Sequence, residues 1–385
     1  MLARIKYLTA GESHGKGLVG IIDGLPAGLE INEQFIADEL FRRQQGHGRG
    51  GRMKIEQDHA EIYSGVRHGV SLGGPIGLIL PNKDWDNWIN KMSIHPVDEK
   101  IKKITLPRPG HADLAGVQKY NFDDIRNVLE RSSARETAMR VALATICRKL
   151  LKDIGIEVGS RVIQIHDVKD STPIPKNYSP EILNNTVDKS SVRCLDKNKE
   201  KLMIEAIDNA KEEGDSVGGV FEVIANGLPY GLGSYVQWDT KLQARLAESI
   251  MSINAFKGLE IGLGFESAEL LGSQVHDEIG WDKKYTRYTN NAGGIEGGMS
   301  NAQPIIIRAV MKPIPTLIKP LRSIDIKNKE SKLAHKERTD ACSVPAASVV
   351  AESMICFVLA DAILEKFGGD SISQIKAHLK ITGKY

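Results

Sequence analysis

Long apolar runs, paired cysteines and an excess of one charge are all missing from this 385-residue sequence. The most apolar stretch, 346–364, is interrupted by Ser348, Glu352, Ser353 and Asp361, so no run of roughly 18 apolar residues is available to span a membrane. The N-terminus contains no signal-peptide hydrophobic region. The 51 basic residues nearly balance the 49 acidic ones, and the net charge of +2 argues against a bulk nucleic-acid-binding protein.

Motifs of metal and nucleotide sites are missing as well. The four cysteines form no C-x-x-C pair, and two fall in apolar helical segments where buried free thiols are common, which predicts a reduced, cytoplasmic protein. H-E-x-x-H, carboxylate ladders and Walker A are absent, and no G-x-G-x-x-G stands between a predicted strand and a predicted helix. No metal site, ATP site or Rossmann-bound nicotinamide is therefore predicted.

The order of predicted elements favours an α+β fold. Strands at 4–9, 18–22, 62–66, 76–80, 217–225 and 304–310 mix with helices at 32–43, 135–152, 201–213, 242–252 and 345–367 without strict βαβ alternation. The remaining predictions are a polar surface excursion at 81–103, a long loop at 171–200 and a short strand at 268–275. Length alone allows two or three domains.

Residues 131–140 are predicted to open a long apolar helix. Ser132 and Ser133 occupy N-cap positions, and Glu136 lies three residues after Ser133, as in a capping box. Because a helix N-terminus presents unpaired N–H groups, it suits an anion, and Arg131 and Arg135 would add two cations. The alternative is an ordinary cap with solvated arginines.

A glycine-rich segment carries a second group of cations. Arg42, Arg43, Arg49 and Arg52 fall within eleven residues that include several glycines. One interpretation is an RNA-binding surface at 46–52, but the segment lacks interleaved aromatic residues. A small polyanion fits better, because guanidinium groups suit phosphate and carboxylate.

Other segments bring side chains suited to proton transfer. Residues 11–15 match the G-x-S-x-G nucleophile elbow of serine hydrolases, but a strand follows instead of the required helix, which argues against Ser13 as a nucleophile. His14, in the same glycine-lined loop, is a better candidate as a proton donor. His111, between prolines and near an aspartate, is either structural or an acid or base. Asp340 is either a helix cap or a carboxylate kept ionised by a neighbouring arginine.

Together these pieces resemble the chorismate synthase family. The resemblance runs through seven segments in the family's order, from residue 9 to residue 340. The segments are TAGESHG (9–15), RQ with GHGRGGR (43–52), RPGHAD (108–113), RSSARETA (131–138), GGIEGGMSN (293–301), KPIPT (312–316) and RTD (338–340).

The resemblance implies a reaction, a fold and an assembly. The reaction is the 1,4-anti elimination of phosphate from 5-enolpyruvylshikimate 3-phosphate to give chorismate in the shikimate pathway, with reduced FMN and no net redox change. The fold is one α+β sandwich over residues 1–385, with helices packed between antiparallel sheets, and the assembly is a homotetramer. A single domain then replaces the two or three that length alone allows.

Residue roles follow from the same resemblance. His14 would protonate the departing phosphate, His111 would stabilise or protonate the reduced flavin, and Asp340 would assist proton transfer from substrate to flavin. The implied substrate contacts are Arg49, Arg52, Arg108, Arg135 and Arg338. The implied flavin contacts are Arg131, Ser132, Ser133, Asn254, Ala255, Gly297, Lys312, Pro313, Ile314, Pro315, Thr316 and Arg338. Arg43 and Arg49 would contact NADPH if the flavin is reduced on the protein.

Two positions depart from the family pattern. His47 stands where a tyrosine is common, and it is expected to alter a substrate-side contact. Ala341 stands where a proline often follows Arg-Thr-Asp, and it is expected to loosen the turn that carries Asp340. No reductase domain is recognisable in the sequence, which favours an external flavin reductant over self-reduction with NADPH.

Overall fold

The structure is a computed structural model that describes residues 2–50, 58–98, 100–337 and 339–382. Its helices in these ranges are α1 (Glu33–Gln44), α2 (Asp113–Tyr120), α3 (Arg126–Ser132), α4 (Thr137–Asp153), α5 (Pro180–Val187), α6 (Lys197–Glu212), α7 (Leu242–Met251), α8 (Gly272–Val275), α9 (Val344–Phe367) and α10 (Ile372–Thr382). Its strands are β1 (Lys6–Gly11), β2 (Gly17–Asp23), β3 (Glu61–Ser64), β4 (Val66–Arg67), β5 (Val70–Ser71), β6 (Ile76–Pro81), β7 (Glu157–Ile165), β8 (Val168–Lys169), β9 (Gly219–Asn226), β10 (Phe256–Ile261), β11 (Ile279–Trp281), β12 (Tyr285–Arg287), β13 (Ile295–Glu296), β14 (Met299–Ser300), β15 (Ile305–Met311), β16 (Arg322–Ile324) and β17 (Ser331–Leu333).

Two antiparallel sheets enclose a layer of helices. The first sheet has the strand order β1-β2-β6-β3, and the second has the order β10-β15-β9-β7-β8. Helix α4 packs on β2 and β6 of the first sheet, α9 packs on β7 and β9 of the second, and the two helices pack against each other. One hydrophobic cluster runs through these layers, from Ile5 to Ile375. The predicted α+β sandwich is confirmed, and a single domain remains a prediction that this shared core supports.

Helix α9 lies at the centre of the sandwich. By length and composition it could cross a membrane, so the expectation that its polar residues interrupt the run too often is wrong. All of that apolar stretch is nevertheless buried inside the protein, as expected for a core helix. The hydroxyls of Ser348 and Ser353 bond to carbonyls of their own helix, at 2.7 and 3.1 Å, which makes their burial inexpensive.

A buried carboxylate on α9 gathers three arginines. Glu352 accepts hydrogen bonds from Arg42 at 3.0 Å, from Arg148 at 2.6 Å and from Arg193 at 3.1 Å. Burial alone would raise the pKa of Glu352, but the positive charges of the three arginines lower it to about 2. Because these arginines come from α1, α4 and the segment after α5, the carboxylate ties several parts of the sandwich together.

Several local predictions hold. Asn32 caps α1, since its side chain accepts the N–H of Phe35 at 2.8 Å. The long helices near 135–152 and 345–367 are present as α4 and α9. The four cysteines are free and buried.

Two local predictions are wrong. The predicted loop at 171–200 contains α5, which Ser179 caps, and the beginning of α6. The predicted strand at 268–275 is a 3-10 turn followed by the short helix α8. A serine followed by proline and glutamate at 179–181 is a helix-start pattern that indicates α5.

Candidate active site

His14 lies in the loop between β1 and β2 and is held by Glu130 of α3. Its Nδ1 lies 2.9 and 3.1 Å from the two carboxylate oxygens, and its backbone N–H donates to the same group at 2.8 Å. Glu130 is 2% exposed and also binds Arg126 at 2.9 Å. Burial would raise the pKa of Glu130, but the hydrogen bonds from His14 and the charges of His14 and Arg126 leave it below its ordinary value.

Trp88 covers the His14 ring. The two rings stack with centroids 3.9 Å apart and planes inclined by 22°. The guanidinium of Arg126 lies 5.1 Å from the same indole ring. Trp88 and Glu130 are functional candidates that the sequence pattern did not reveal, because one lies in a polar excursion and the other is 116 residues away from His14.

His111 is oriented in the same way by Asp113. Its Nδ1 lies 2.5 Å from Asp113, which is fully buried in the first turn of α2. Asp113 also accepts three bonds from Arg108, from Nε at 2.8 Å, from the backbone N–H at 3.0 Å and from Nη2 at 3.1 Å. Burial opposes ionisation, but the hydrogen bonds from His111 and Arg108 hold the pKa of Asp113 well below its ordinary value.

Glu337 connects the two histidine clusters. It lies 3.5 Å from Arg108 and 3.5 Å from His335. Burial raises its pKa, but a hydrogen bond from His335 and the charges of Arg108, His335 and His14 lower it overall. Because the charges of Arg108 and His14 both lower the pKa of Glu337, this carboxylate lies within electrostatic range of both clusters.

Most of the predicted flavin segments form one continuous surface. Lys312 donates from Nζ to the Gly110 carbonyl at 2.7 Å and from its backbone N–H to the Ala255 carbonyl at 3.0 Å. Asn254 donates to the Ser132 carbonyl at 2.9 Å. Thr316 accepts from Arg108 at 2.8 Å, and Ser133 accepts from Ser13 at 3.0 Å. These contacts join 254–255, 312–316 and 132–133 to both histidine loops.

Gly297 lies apart from that surface. It forms the turn between β13 and β14, where Leu242, the first residue of α7, donates to the neighbouring Gly298 carbonyl at 2.8 Å. Asn254 follows the other end of this ten-residue helix, and a helix of that length spans about 15 Å. No atom in the described part of this chain would lie within 4 Å of a Cβ at Gly297.

The predicted helix start at 131–136 is right in position but wrong in detail. Ser133 caps a 3-10 turn, Ala134–Glu136, and α4 begins at Thr137. Glu136 pairs with Arg140 at 2.9 Å, so the predicted capping box is not formed. Arg131 belongs to the end of α3 and donates to the carbonyls of Thr9 at 2.8 Å and Gly11 at 3.1 Å.

Two predicted arginines converge on Asp58. Arg135 is 5% exposed and bonds to Asp58 at 2.5 Å and to Asn82 at 2.9 Å. Arg43 lies 3.7 Å from Asp58 and donates to Thr137 at 2.9 and 3.0 Å. Burial lowers the pKa of Arg43 to about 10, with Asp58 opposing the shift and Arg49 and Arg135 adding to it. Arg49 and Arg135 are therefore each close enough to Arg43 to repel it.

Asp340 and Arg49, two further predicted site residues, form an ion pair. Arg49 lies 2.9 Å from Asp340, and Ser343 and the Gly50 N–H donate to the same carboxylate at 2.7 and 2.6 Å. The two predicted residues Arg52 and Arg338 lie outside the described residues. Because Arg49 and Gly50 bond to Asp340, this part of the glycine-rich segment serves an internal contact, which does not favour the RNA-binding alternative.

His47 and Ala341, which depart from the family pattern, both make contacts that hold the glycine-rich segment. His47 Nε2 lies 2.7 Å from Asp208 of α6. Ala341 donates its N–H to the Gly48 carbonyl at 2.8 Å, a bond that a proline could not make. The expectation that alanine loosens this turn therefore neglected a hydrogen bond that alanine adds.

The described structure also bears on a serine hydrolase site at Ser13 and on a metal site. The Ser13 hydroxyl bonds to Ser133, and strand β2 follows its loop, so the hydrolase elbow lacks its helix. Among the residues that the structure describes, no group of three or more histidine, cysteine or acidic side chains is arranged to hold a metal ion.

Known proteins resemble this chain over nearly its whole length. A family model described as chorismate synthase matches residues 5–364. The chain belongs to the chorismate synthase family. Chorismate synthase from Listeria welshimeri is 54% identical over 381 residues, which cover 98% of each protein. Chorismate synthase 2 from Bacillus cereus is 55% identical over 388 residues, which cover 99% of each.

A solved structure extends the likeness to three dimensions. A crystal structure of chorismate synthase is 42% identical to this chain and aligns with a TM-score of 0.80. The alignment covers 100% of this chain and 98% of that one. The family therefore identifies the chain as an enzyme, and the histidine clusters described above lie in segments that carry the family resemblance.

Proposed function

We propose that the chain catalyses the 1,4-anti elimination of phosphate from 5-enolpyruvylshikimate 3-phosphate to give chorismate. The observation that carries the proposal is the pair of histidines, His14 and His111, each oriented by a buried carboxylate inside one site. A proton donor and a charge-stabilising group are what loss of a phosphate and a proton requires. Membership of the chorismate synthase family supplies the choice of substrate.

The arginines suit the charge of that substrate. It carries two carboxylates and a phosphate, and Arg49, Arg108 and Arg135 each have a carboxylate partner that orients the guanidinium. Arg52 and Arg338 remain predicted substrate contacts. Arg49 and Arg135 both lie close enough to Arg43 for their charges to act on it, so these cations are concentrated locally in a nearly neutral protein.

His14 is assigned the proton for the departing phosphate. Glu130 accepts from its Nδ1 and so orients the ring, which leaves Nε2 to carry the proton that is donated. Asp113 plays the matching part for His111, whose positive form would stabilise negative charge beside it. Asp340 is assigned the proton transfer away from the substrate, with Arg49 and Ser343 fixing its carboxylate.

The chemistry of the flavin segments supports FMN. Ser132, Ser133 and Lys312 offer hydroxyls and an ammonium group to a phosphate, and Gly110, with a φ of +78°, brings its loop close to Lys312, where a Cβ would lie 3.1 Å from Nζ. Reduced FMN would supply an electron-rich ring that assists removal of the substrate proton without net redox change. Arg43 and Arg49 remain the predicted NADPH contacts. The side chain of Arg49 is 12% exposed and that of Arg43 is 5% exposed, so Arg49 is the more accessible of the two.

The proposal includes a cytoplasmic homotetramer. The outer face of the first sheet exposes Leu8, Val19, Ile21 and Tyr63, and Leu8 pairs directly with Ile21 across β1 and β2. Such an apolar sheet face is suited to burial against another copy of the chain. The nearly neutral net charge also supports a small anionic substrate, and not nucleic acid, as the ligand.

The test is an anaerobic assay of 5-enolpyruvylshikimate 3-phosphate with dithionite-reduced FMN. Release of phosphate and chorismate by the parent, and loss of turnover by orders of magnitude in His111→Ala, are the expected results. A surface variant, His95→Ala, serves as the matched control and should turn over like the parent. Retained FMN binding without any turnover would contradict the proposed reaction, and failure to bind FMN would contradict the cofactor assignment.

A further inference from the structure

We infer that Glu130 and Trp88 are positioning residues that set the tautomer, orientation and proton affinity of His14. The inference rests on the proposed function, which makes His14 the proton donor to the leaving phosphate. Neither residue is among the catalytic or binding groups assigned above. Both act through the His14 ring, from its edge and from its face respectively.

The carboxylate sets the direction in which His14 can donate. With Glu130 2.9 Å from Nδ1, that nitrogen carries a proton in both the neutral and the protonated ring. Nε2 then lies on the far side of the ring and gains or loses the proton that is transferred. Since Glu130 also accepts the backbone N–H of His14, one carboxylate fixes both the loop and the ring.

The indole fixes the plane of the ring and favours its charged form. Trp88 stacks on His14 at 3.9 Å, and an aromatic face attracts a cation. The 3-10 turn Trp85–Asn87 and the bond from Trp88 Nε1 to Asp84 at 3.0 Å hold the indole in place. The polar excursion at 81–103 therefore contributes a side chain to the site, although its composition does not indicate such a role.

Charged groups of the described residues act on the ring from the elements around it. Glu130 makes direct contact, and Glu337 acts from the segment after β17. Against these, Arg126 binds Glu130 at 2.9 Å and lies 5.1 Å from the Trp88 ring, and Lys91 lies 4.9 Å from that ring. The contact carboxylate is closest, so its removal should govern the change in proton affinity.

The test follows the titration of His14 in the whole protein by NMR of Cε1-labelled histidine, assigned with His14→Gln, beside the pH profile of kcat. Glu130→Gln should lower the His14 titration midpoint by about one pH unit or more, because a hydrogen bond to a charged group is lost. The high-pH limb of kcat should move down by the same amount. Trp88→Leu should shift both in the same direction by a smaller amount, and Glu130→Asp should restore most of the parent midpoint.

Matched controls separate this role from simple stability. Glu222→Gln removes a carboxylate paired with Arg161 at 3.1 Å and should leave the His14 midpoint unchanged, as should Trp238→Leu at an exposed indole. An unchanged midpoint in folded Glu130→Gln would overturn the inference, and so would equal shifts in the controls. If Glu130→Gln does not fold, Trp88→Leu and Glu130→Asp decide by the same criterion. If the parent shows no turnover, the proposed reaction fails, while the titration still decides the positioning role.

Discussion

Replacing Asp113 by asparagine should both destabilise the protein and disable His111. Asp113 is fully buried and accepts hydrogen bonds from His111 and, three times, from Arg108. Asparagine has nearly the same shape but no charge, and its amide group would place N–H donors against N–H donors. The change therefore removes electrostatics while leaving the volume of the site intact.

The cost can be estimated from what remains around Arg108. Removing one partner of a buried ion pair costs about 3–5 kcal/mol. Arg108 keeps its bond to Thr316 at 2.8 Å and its approach to Glu337 at 3.5 Å, so we expect the low end, about 3 kcal/mol. Loss of the oriented His111 should lower kcat on the order of 100-fold, the usual contribution of a positioned acid or base.

The depressed pKa of Asp113 fixes the direction in which its contribution to stability changes with pH. The pKa of Asp113 is depressed in the folded protein, so its stabilisation is fully present above the unfolded pKa of about 3.9 and is lost as the pH falls toward the folded value. The variant should therefore lose less stability than the parent below about pH 4.

Urea unfolding at fixed protein concentration, at pH 7 and at decreasing pH below 4, measures both effects. Asp123→Asn, at an exposed carboxylate paired with Lys103, is the control and should behave as the parent does. A variant with parental unfolding free energy at pH 7, or with a steeper acid loss than the parent, would refute the reasoning.

Three further predictions concern other parts of the molecule. Glu352→Gln should cost about 3 kcal/mol at pH 7, and because the folded pKa of Glu352 is about 2, it should flatten the loss of stability between the unfolded value, about 4.3, and pH 2 in urea unfolding. Gly48→Ala should lower both stability and substrate affinity, because Gly48 has a φ of +82° and a Cβ would approach Ile207 to 2.6 Å; the strain is about 2 kcal/mol. His47→Asn should raise KM severalfold with little change in kcat, because loss of the 2.7 Å contact with Asp208 loosens the segment that carries Arg49.

Each of these predictions has a result that would contradict it. An acid unfolding profile of Glu352→Gln parallel to that of the parent would deny that the carboxylate is ionised in the core. A Gly48→Ala protein with parental stability would show that the left-handed conformation is not required. For His47→Asn, an unchanged KM would separate the contact to Asp208 from substrate binding, and Asp208→Asn should give the same result as His47→Asn.

Local patterns predicted the elements whose causes are local. Asn32 precedes an amphipathic stretch, and it caps α1 as expected. The spacing of His111 and Asp113 within one rigid turn is enough to bring the two side chains together.

Tertiary contacts decided what local patterns could not. Glu130 lies 116 residues from His14, and no sequence period connects them. Trp88 lies among polar residues that correctly indicate a surface turn. Those residues do not indicate that Trp88 stacks on the His14 ring. Helix α9 has little polar contrast between faces because it is buried all round, so Glu352 and Asp361 looked like interruptions when they are partners of buried arginines.

The most direct test of the central claim is an anaerobic progress curve for the parent protein with 5-enolpyruvylshikimate 3-phosphate and FMN. With reduced FMN, phosphate and chorismate should appear in equal amounts over many turnovers while the flavin remains reduced, and with oxidised FMN neither should appear. Equal rates with oxidised and reduced FMN, or oxidation of one flavin for each phosphate released, would contradict the proposed reaction.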